Sequence, residues 1–337
     1  MAPTRASDDA TWRGEDLAVR SDWIYVIDSD IQRDLEAVAE QASAAGMTCD
    51  DIEPVASPGP ALARMANAIK HDLHRGRGFI LLRGLETAHR ADAEIGMLYS
   101  ALGACLGIAV SQSADGDRLG HVIDRGLGDQ GRYYTRGGEL EFHMDPVDVV
   151  GLLCLQSAMS GGASRIVSAL SVHDVILDER PELMPIFHRG FHNTRRPEGK
   201  PPTRHRVPVF TAVASSVECY YLPQAIRQAA LEGYPLEADE REALDYLAQV
   251  ADRPALRLDM DLREGDIQFL NNRKILHART DYVDHPHKAL WRHLLRLWLM
   301  MPDWPPRSAT MNVHSGDRGG GGIQPQVQAV RPRADGA

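Results

Sequence analysis

The chain has 337 residues and a formal net charge of −10, with 43% hydrophobic and 25% charged residues. That length can bury a substantial core, and the composition argues against disorder over most of it. The acidic balance, with a pI near 5.8, argues against a nucleic-acid or anionic-membrane surface, because either needs a concentrated basic patch.

The first stretch, Met1 to Leu17, is polar and mixed in charge and lacks the apolar run of a secretory leader. Residues 1–20 are therefore expected to be a disordered N-terminal segment. From about Asp30 to Ile123 the chain reads mainly as helix with a few strands. Leu62, Met65, Ala66, Ile69 and Leu73 recur at three- and four-residue spacings, which predicts a helix with one buried face. Arg75-Gly-Arg-Gly78 stops it, and Phe79-Ile-Leu-Leu82 follows as a short apolar strand. A second helix is predicted over Ala91 to Cys105. Gly126 to Glu141 shows no period, and its glycines and polar residues around Tyr133 and Tyr134 predict a mobile loop leading into chemistry.

From Val149 onward short apolar runs alternate with turns: Val149–Leu155, Ser164–Val167, Val207–Phe210, Val217–Tyr221, Ile267–Leu270 and Trp291–Met300. Strands at this frequency predict a barrel or sandwich and not a doubly wound sheet. Helices at about Val172–Glu179 and Glu237–Val250 look like insertions on that β core. Beyond Trp304 the chain is rich in Gly, Pro, Arg and Ser. Its run Gly319–Gly322 lacks the preceding strand and following helix that a phosphate cradle requires, so residues 305–337 are expected to be a flexible tail. That leaves 21–304 as a single catalytic domain. No stretch approaches the roughly eighteen uninterrupted apolar residues of a membrane span. Cys49, Cys105, Cys154 and Cys219 stand far apart and form no C-x-x-C pair, which predicts reduced, buried thiols. Soluble and cytoplasmic is the default expectation.

Three places carry chemistry. In His143-Met-Asp145 an extended backbone turns residues i and i+2 to one face, so an imidazole and a carboxylate can converge on one ion, while Met144 points oppositely as packing. With 14 His and 47 acidic residues, roughly two such triplets arise by chance, and the triplet alone decides nothing. Downstream, Gly265-Asp-Ile-Gln-Phe-Leu-Asn-Asn272 and Arg273-Lys-Ile-Leu-His277 place a second histidine near a strand end. Two His and one carboxylate on one face would leave three positions open on iron(II), as oxygen-activating non-haem sites require. Third, Arg292-His-Leu-Leu-Arg296-Leu-Trp-Leu-Met300 puts Arg292, Leu294 and Arg296 on one face of a strand and His293, Leu295 and Leu297 on the other. Inward arginines are costly unless anions meet them, and a dicarboxylic co-substrate supplies such an anion in a bidentate fork. The alternative is an edge strand whose arginines face water. His285-Pro-His287 is expected to be a surface turn outside the site.

Taken in order, His143-x-Asp145, Ser160-Gly-Gly-Ala-Ser164, His277 and the pair Arg292/Arg296 resemble the Fe(II)/2-oxoglutarate oxygenases related to taurine dioxygenase and clavaminate synthase. The resemblance extends from about Gly78 to Met301. It implies an α+β chain with a double-stranded β-helix, or jelly-roll, core flanked by helices. It also implies that His143, Asp145 and His277 are the iron ligands, and that Arg292 and the Ser164 hydroxyl hold the distal carboxylate of 2-oxoglutarate. Arg296 resembles the second family arginine, which faces the substrate or the other end of 2-oxoglutarate; the two arginines could exchange roles. Gln112 lies where amino-acid hydroxylases of the clavaminate synthase kind place a substrate contact, and Glu139 and Arg136 are candidates for a lid over the substrate.

The resemblance implies that iron, 2-oxoglutarate and O₂ together oxidise an unactivated carbon of a small organic substrate, leaving succinate and CO₂, with the protein supplying placement. Related halogenases lack the carboxylate ligand, and this chain retains Asp145, so hydroxylation is expected, with desaturation or cyclisation using the same ligands. Two other classes stay open at this point: a zinc-dependent hydrolase built on the same His/Asp/His set, and a non-catalytic jelly-roll binding protein. The expected partner is a small-molecule substrate, with no nucleic acid and no membrane; a homo-oligomer is left open.

Overall fold

The computed structural model describes residues 8–55, 57–124, 138–213, 216–314, 316 and 321–326. Its strands begin with β1 (Ile24–Val26), β2 (Phe79–Arg83), β3 (Ile108–Ala109), β4 (Leu119–Ile123), β5 (Leu140–His143), β6 (Val149–Gln156), β7 (Ser160–Gly161) and β8 (Ser164–Ser168). They continue as β9 (Phe210–Val213), β10 (Ser216–Cys219), β11 (Arg257–Met260), β12 (Ile267–Asn271), β13 (Ile275–Arg279), β14 (Tyr282–Val283) and β15 (His293–Met300). The helices are α1 (Gly14–Ala18), α2 (Ser29–Ala44), α3 (Pro60–His74), α4 (Asp92–Leu106), α5 (Ala169–Glu179), α6 (Met184–Arg189), α7 (Pro223–Leu231) and α8 (Ala238–Ala251).

Seven strands form the larger sheet in the order β1-β2-β12-β6-β15-β3, with β4 also paired to β15, and β11-β8-β13-β5 form a four-stranded sheet. Only β1 and β2 run parallel in these two sheets. The period-2 alternation explains how the layers stack. Phe79, Leu81, Val150, Leu270 and Trp298 of the larger sheet meet Ile166, Leu258, Met260 and Ile275 of the smaller one. Their neighbours Ile80, Leu82, Leu153, Phe269, Leu295, Leu297 and Leu299 turn the other way and bury the apolar stripes of α2, α3 and α4. Phe142, Val167, Leu276 and Ala278 do the same for α5 to α8 on the outer face of the smaller sheet. The result is a double-stranded β-helix between two helical layers, the α+β jelly roll the motifs implied. No helix among the described residues is long and apolar enough to cross a membrane.

Two boundaries differ from expectation. Residues 8–20 are ordered: Trp12 and Leu17 are buried in the inter-sheet core, the Trp12 Nε1 donates to the Arg77 carbonyl at 2.9 Å, and the Gly14 N–H donates to the Leu256 carbonyl at 2.9 Å. Gly14 sits so close to the chain that a Cβ would lie 1.8 Å from the Arg257 oxygen. Two buried side chains and backbone pairing hold a segment whose average polarity suggests disorder. The supposed tail is likewise docked where it is described: Met311, Val313 and Ile323 are buried, and the N–H groups of Gly322, Ile323 and Gln326 donate to Pro146, Ser111 and Ala114. Gly321 and Gly322 have φ of +80° and +75°, the left-handed backbone that glycine adopts without steric cost. The strand expected over Val207–Phe210 begins only at Phe210; Val207 forms an isolated bridge to Phe191, and Pro208 offers no N–H to a ladder.

Candidate active site

His143 ends β5 and stands opposite His277 of β13 in register. Because Phe142, Leu276 and Ala278 face the outer helices, alternation turns both imidazoles into the space between the sheets. Asp145 follows two residues beyond β5. One ligand atom from each of His143, Asp145 and His277 lies within 4.8 Å of the others, and all three residues are buried. His143 Nε2 is 4.0 Å from Asp145 Oδ1 and His277 Nε2 is 3.8 Å from Asp145 Oδ2, with the imidazole centroids 4.2 Å apart. Met144 points away into the outer core.

The protonation states suit a cation. His143 Nδ1 is 2.8 Å from the Glu141 carbonyl; a carbonyl only accepts, so Nδ1 carries the proton and the Nε2 lone pair faces Asp145. Burial pushes His143 below its ordinary value, against the opposing pull of Asp145. Burial, reinforced by His143, drives His277 down to about 3. Both rings are therefore neutral at pH 7. Burial alone would raise the Asp145 carboxyl, but Arg296, with His277 and His143, outweighs it and holds the group below the usual carboxylate range. Two neutral nitrogens and one carboxylate on one face fit a ferrous ion with open positions.

The arginines complete the site. His143, His277, Ser164, Arg279, Arg292, Leu294 and Arg296 line one cavity of about 50 Å³, on the inward face of β15 that strand alternation assigned. Arg292 is 6% exposed, and its guanidinium has neither an ion pair nor a hydrogen-bond acceptor among the described residues. Burial, then the neighbouring Arg279, drags its pKa below the ordinary guanidinium value to about 10. Gly162, at φ +73°, makes room for it: a Cβ there would sit 3.0 Å from Arg292 Nε. The Ser164 hydroxyl, on the same cavity wall, donates to Gln268 Oε1 at 3.0 Å.

Arg296 is engaged differently. Its Nε donates to Gln112 Oε1 at 2.7 Å and its Nη1 to Asp145 Oδ2 at 3.4 Å. Gln112, expected to touch substrate, instead serves Arg296: its Nε2 also donates to the carbonyls of Arg118 and Arg296, at 2.6 and 2.8 Å, which fills the amide with protein partners. Glu139 projects into solvent, 3.6 Å from Arg165. Arg136, with most of the segment from Gly126, lies outside the described residues. His285 is half-buried and His287 exposed, in an irregular stretch that does not line the cavity.

Two further site residues were given no role by the sequence reading. Trp298 Nε1 donates to Asp145 Oδ2 at 2.8 Å, and Arg279 reaches the cavity with its guanidinium 4.8 Å from the Tyr282 ring and donating to the Gly138 carbonyl. Both sit two positions from a residue already singled out, Arg296 and His277, and the same alternation could have found them.

A β-helix that closes on two imidazoles, one carboxylate and a buried guanidinium defines a non-haem iron(II), 2-oxoglutarate-dependent dioxygenase. The chain belongs to the taurine catabolism dioxygenase TauD, TfdA family, whose model matches residues 53–298. It is 28% identical over 316 residues to the FR-33289 synthase of Streptomyces rubellomurinus, covering 90% of this chain and 93% of that protein. It is 26% identical over 311 residues to the taurine hydroxylase-like protein SAT17 of Stachybotrys chartarum, covering 87% of this chain and 79% of that one. Among solved structures it is similar in fold to asparagine oxygenase in complex with Fe(II), 3-hydroxyasparagine and succinate, with a TM-score of 0.66, 19% identity and coverage of 82% and 93%. The non-haem iron oxygenase OrfP, in complex with Fe, succinate and 3-hydroxyarginine, aligns with a TM-score of 0.59 at 14% identity, covering 82% and 94%.

Proposed function

We propose that His143, Asp145 and His277 hold the iron, that Arg292 with Ser164 binds the distal carboxylate of 2-oxoglutarate, and that the enzyme hydroxylates an amino acid, a carboxylate or a natural-product intermediate. One observation carries the assignment of the co-substrate end: Arg292 is a buried guanidinium without an ion pair among the described residues, opening on the same cavity as His143 and His277. Leaving such a group unpaired is expensive, and a carboxylate offers it two parallel charge-assisted hydrogen bonds. Arg296 is already committed to Gln112 and Asp145, which favours Arg292 over Arg296 as the anchor.

Bound iron would supply the redox chemistry that couples 2-oxoglutarate decarboxylation to oxygen insertion. The residues' part is placement. His143 and His277 present neutral Nε2 atoms, Asp145 contributes one negative charge, and Arg292 fixes the far end of the co-substrate so that its other end reaches the metal face. Leu140, Leu152, Leu262 and Leu294 keep that cavity apolar between its charged groups. A relative named as a taurine hydroxylase-like protein, and folds solved with hydroxylated asparagine and arginine, support a small polar substrate. The test is a panel of amino acids, sulfonates and carboxylates, scored by succinate release and hydroxylated product under air with added iron. A panel member that stimulates succinate release in the wild type and not in Asp145→Ala supports the proposal. Stimulation that survives Asp145→Ala contradicts the ligand set.

A further inference from the structure

A carboxylate has two oxygens, and a facial site needs one. At Asp145 the protein occupies the other. Oδ2 accepts from the indole Nε1 of Trp298 at 2.8 Å and from Arg296 Nη1 at 3.4 Å. No hydrogen bond from the described residues reaches Oδ1. Trp298 and Arg296 are two apart on the inward face of β15, and the guanidinium lies 4.7 Å from the indole centroid, so the two donors are stacked against each other. Arg296 is itself held by Gln112 Oε1, whose amide nitrogen is pinned by two backbone carbonyls. Gly120 leaves the space for that amide; a Cβ there would lie 2.7 Å from Gln112 Oε1. Asp145, Gln112, Arg296 and Trp298 are all buried, with Gln112 at 2% exposure.

We propose that Trp298 and Gln112 are positioning residues for the metal carboxylate. Trp298 acts by direct donation to Oδ2, Gln112 acts through Arg296, and together they hold the Asp145 carboxylate in one rotation, with Oδ2 occupied and Oδ1 the oxygen left without a protein donor among the described residues. This rests on Asp145 being a ligand. A carboxylate free to rotate could bind through both oxygens and fill a position that the co-substrate or O₂ needs. Two donors on one oxygen prevent that. They also divide the labour: the guanidinium balances the charge of Asp145, while the neutral indole N–H adds direction without a second positive charge beside the cation. Donors of this kind, one step behind a metal ligand, commonly account for ~10–100-fold in metal affinity.

Trp298 also packs between the sheets with Val150, Ile166 and Leu270, and a packing role alone would be largely satisfied by phenylalanine. Trp298→Phe therefore separates the two roles, because it keeps an aromatic ring and deletes the N–H. The apo protein is titrated anaerobically with Co(II), reading affinity by calorimetry and coordination by the visible absorption of the bound ion, in wild type, Trp298→Phe, Gln112→Met and Asp145→Ala. The expected result is Co(II) binding weakened ~10–100-fold in Trp298→Phe, a smaller loss in Gln112→Met, and an altered visible spectrum in both. Wild-type affinity and spectrum in Trp298→Phe, with binding lost in Asp145→Ala, would overturn the positioning role and leave the ligand set standing. Wild-type binding in Asp145→Ala would remove the ligand set and this inference with it. Should Trp298→Phe fail to fold, Gln112→Met decides the matter, and unchanged Co(II) binding there overturns the proposal.

Discussion

Replacing Arg292 by methionine should move protein stability and co-substrate affinity in opposite directions. The side chain is 6% exposed and without an ion pair among the described residues, and burial lowers its pKa from the ordinary guanidinium value to about 10. A base with a depressed folded-state pKa destabilises the fold at every pH below that value, because the unfolded chain holds the proton more tightly. At neutral pH the fall corresponds to about 3 kcal/mol, and the loss of the stacking contact with Tyr282 returns only ~1 kcal/mol of it. The apo variant should therefore melt at or above the wild-type temperature. Binding should suffer: removing one partner of a buried charge pair costs about 2–5 kcal/mol, which weakens 2-oxoglutarate about 30-fold or more. Differential scanning fluorimetry of the apo proteins, with anaerobic calorimetry of 2-oxoglutarate on the iron-loaded proteins, measures both. Affinity within about threefold of wild type, or a sharp drop in apo melting temperature, would refute the assignment of Arg292 as a guanidinium held in readiness for an anion.

Gly162→Ala puts a Cβ 3.0 Å from Arg292 Nε at a φ of +73°; it should cost ~1–2 kcal/mol in stability and raise the KM for 2-oxoglutarate while leaving Co(II) affinity unchanged, and an unchanged KM would contradict the cradle. Deleting residues 1–20 removes buried Trp12 and Leu17 and should lower stability by roughly 5 kcal/mol in urea; an unaltered transition would contradict the docking of this segment. Burial, opposed by Glu198, pushes His314 from 6.5 down to about 4. The unfolded chain therefore takes up the proton first, so stability is full above pH 6.5 and declines as pH falls towards 4. Protection factors of the amides near Val313, corrected for the intrinsic pH dependence of exchange, should fall across that window in wild type and far less in His314→Asn; identical profiles would contradict it.

Much of the site was legible because strand alternation is a strict rule. It placed His143 with Asp145 and Arg292 with Arg296 on inward faces, and the family resemblance joined pieces more than a hundred residues apart. What it could not reveal was partner choice. Gln112 and Arg296 are both polar residues near a site, and only the three-dimensional arrangement shows that Arg296 bonds both Gln112 and Asp145, while Arg292 has no ion pair among the described residues. Trp298 reads as core because an indole is mostly apolar; its single N–H is the functional atom. The ends of the chain depart from expectation for a related reason. Average polarity describes a segment poorly when one or two residues, Trp12 and Leu17 or Met311 and Ile323, carry its anchoring.

The most direct measurement is an anaerobic absorption titration of the Fe(II)-loaded protein with 2-oxoglutarate. Chelation of the keto acid to iron held by His143, Asp145 and His277 should produce a visible charge-transfer band that saturates in the wild type, needs far more 2-oxoglutarate in Arg292→Met, and is absent in Asp145→Ala. A band of wild-type strength and affinity in Asp145→Ala would contradict this ligand set.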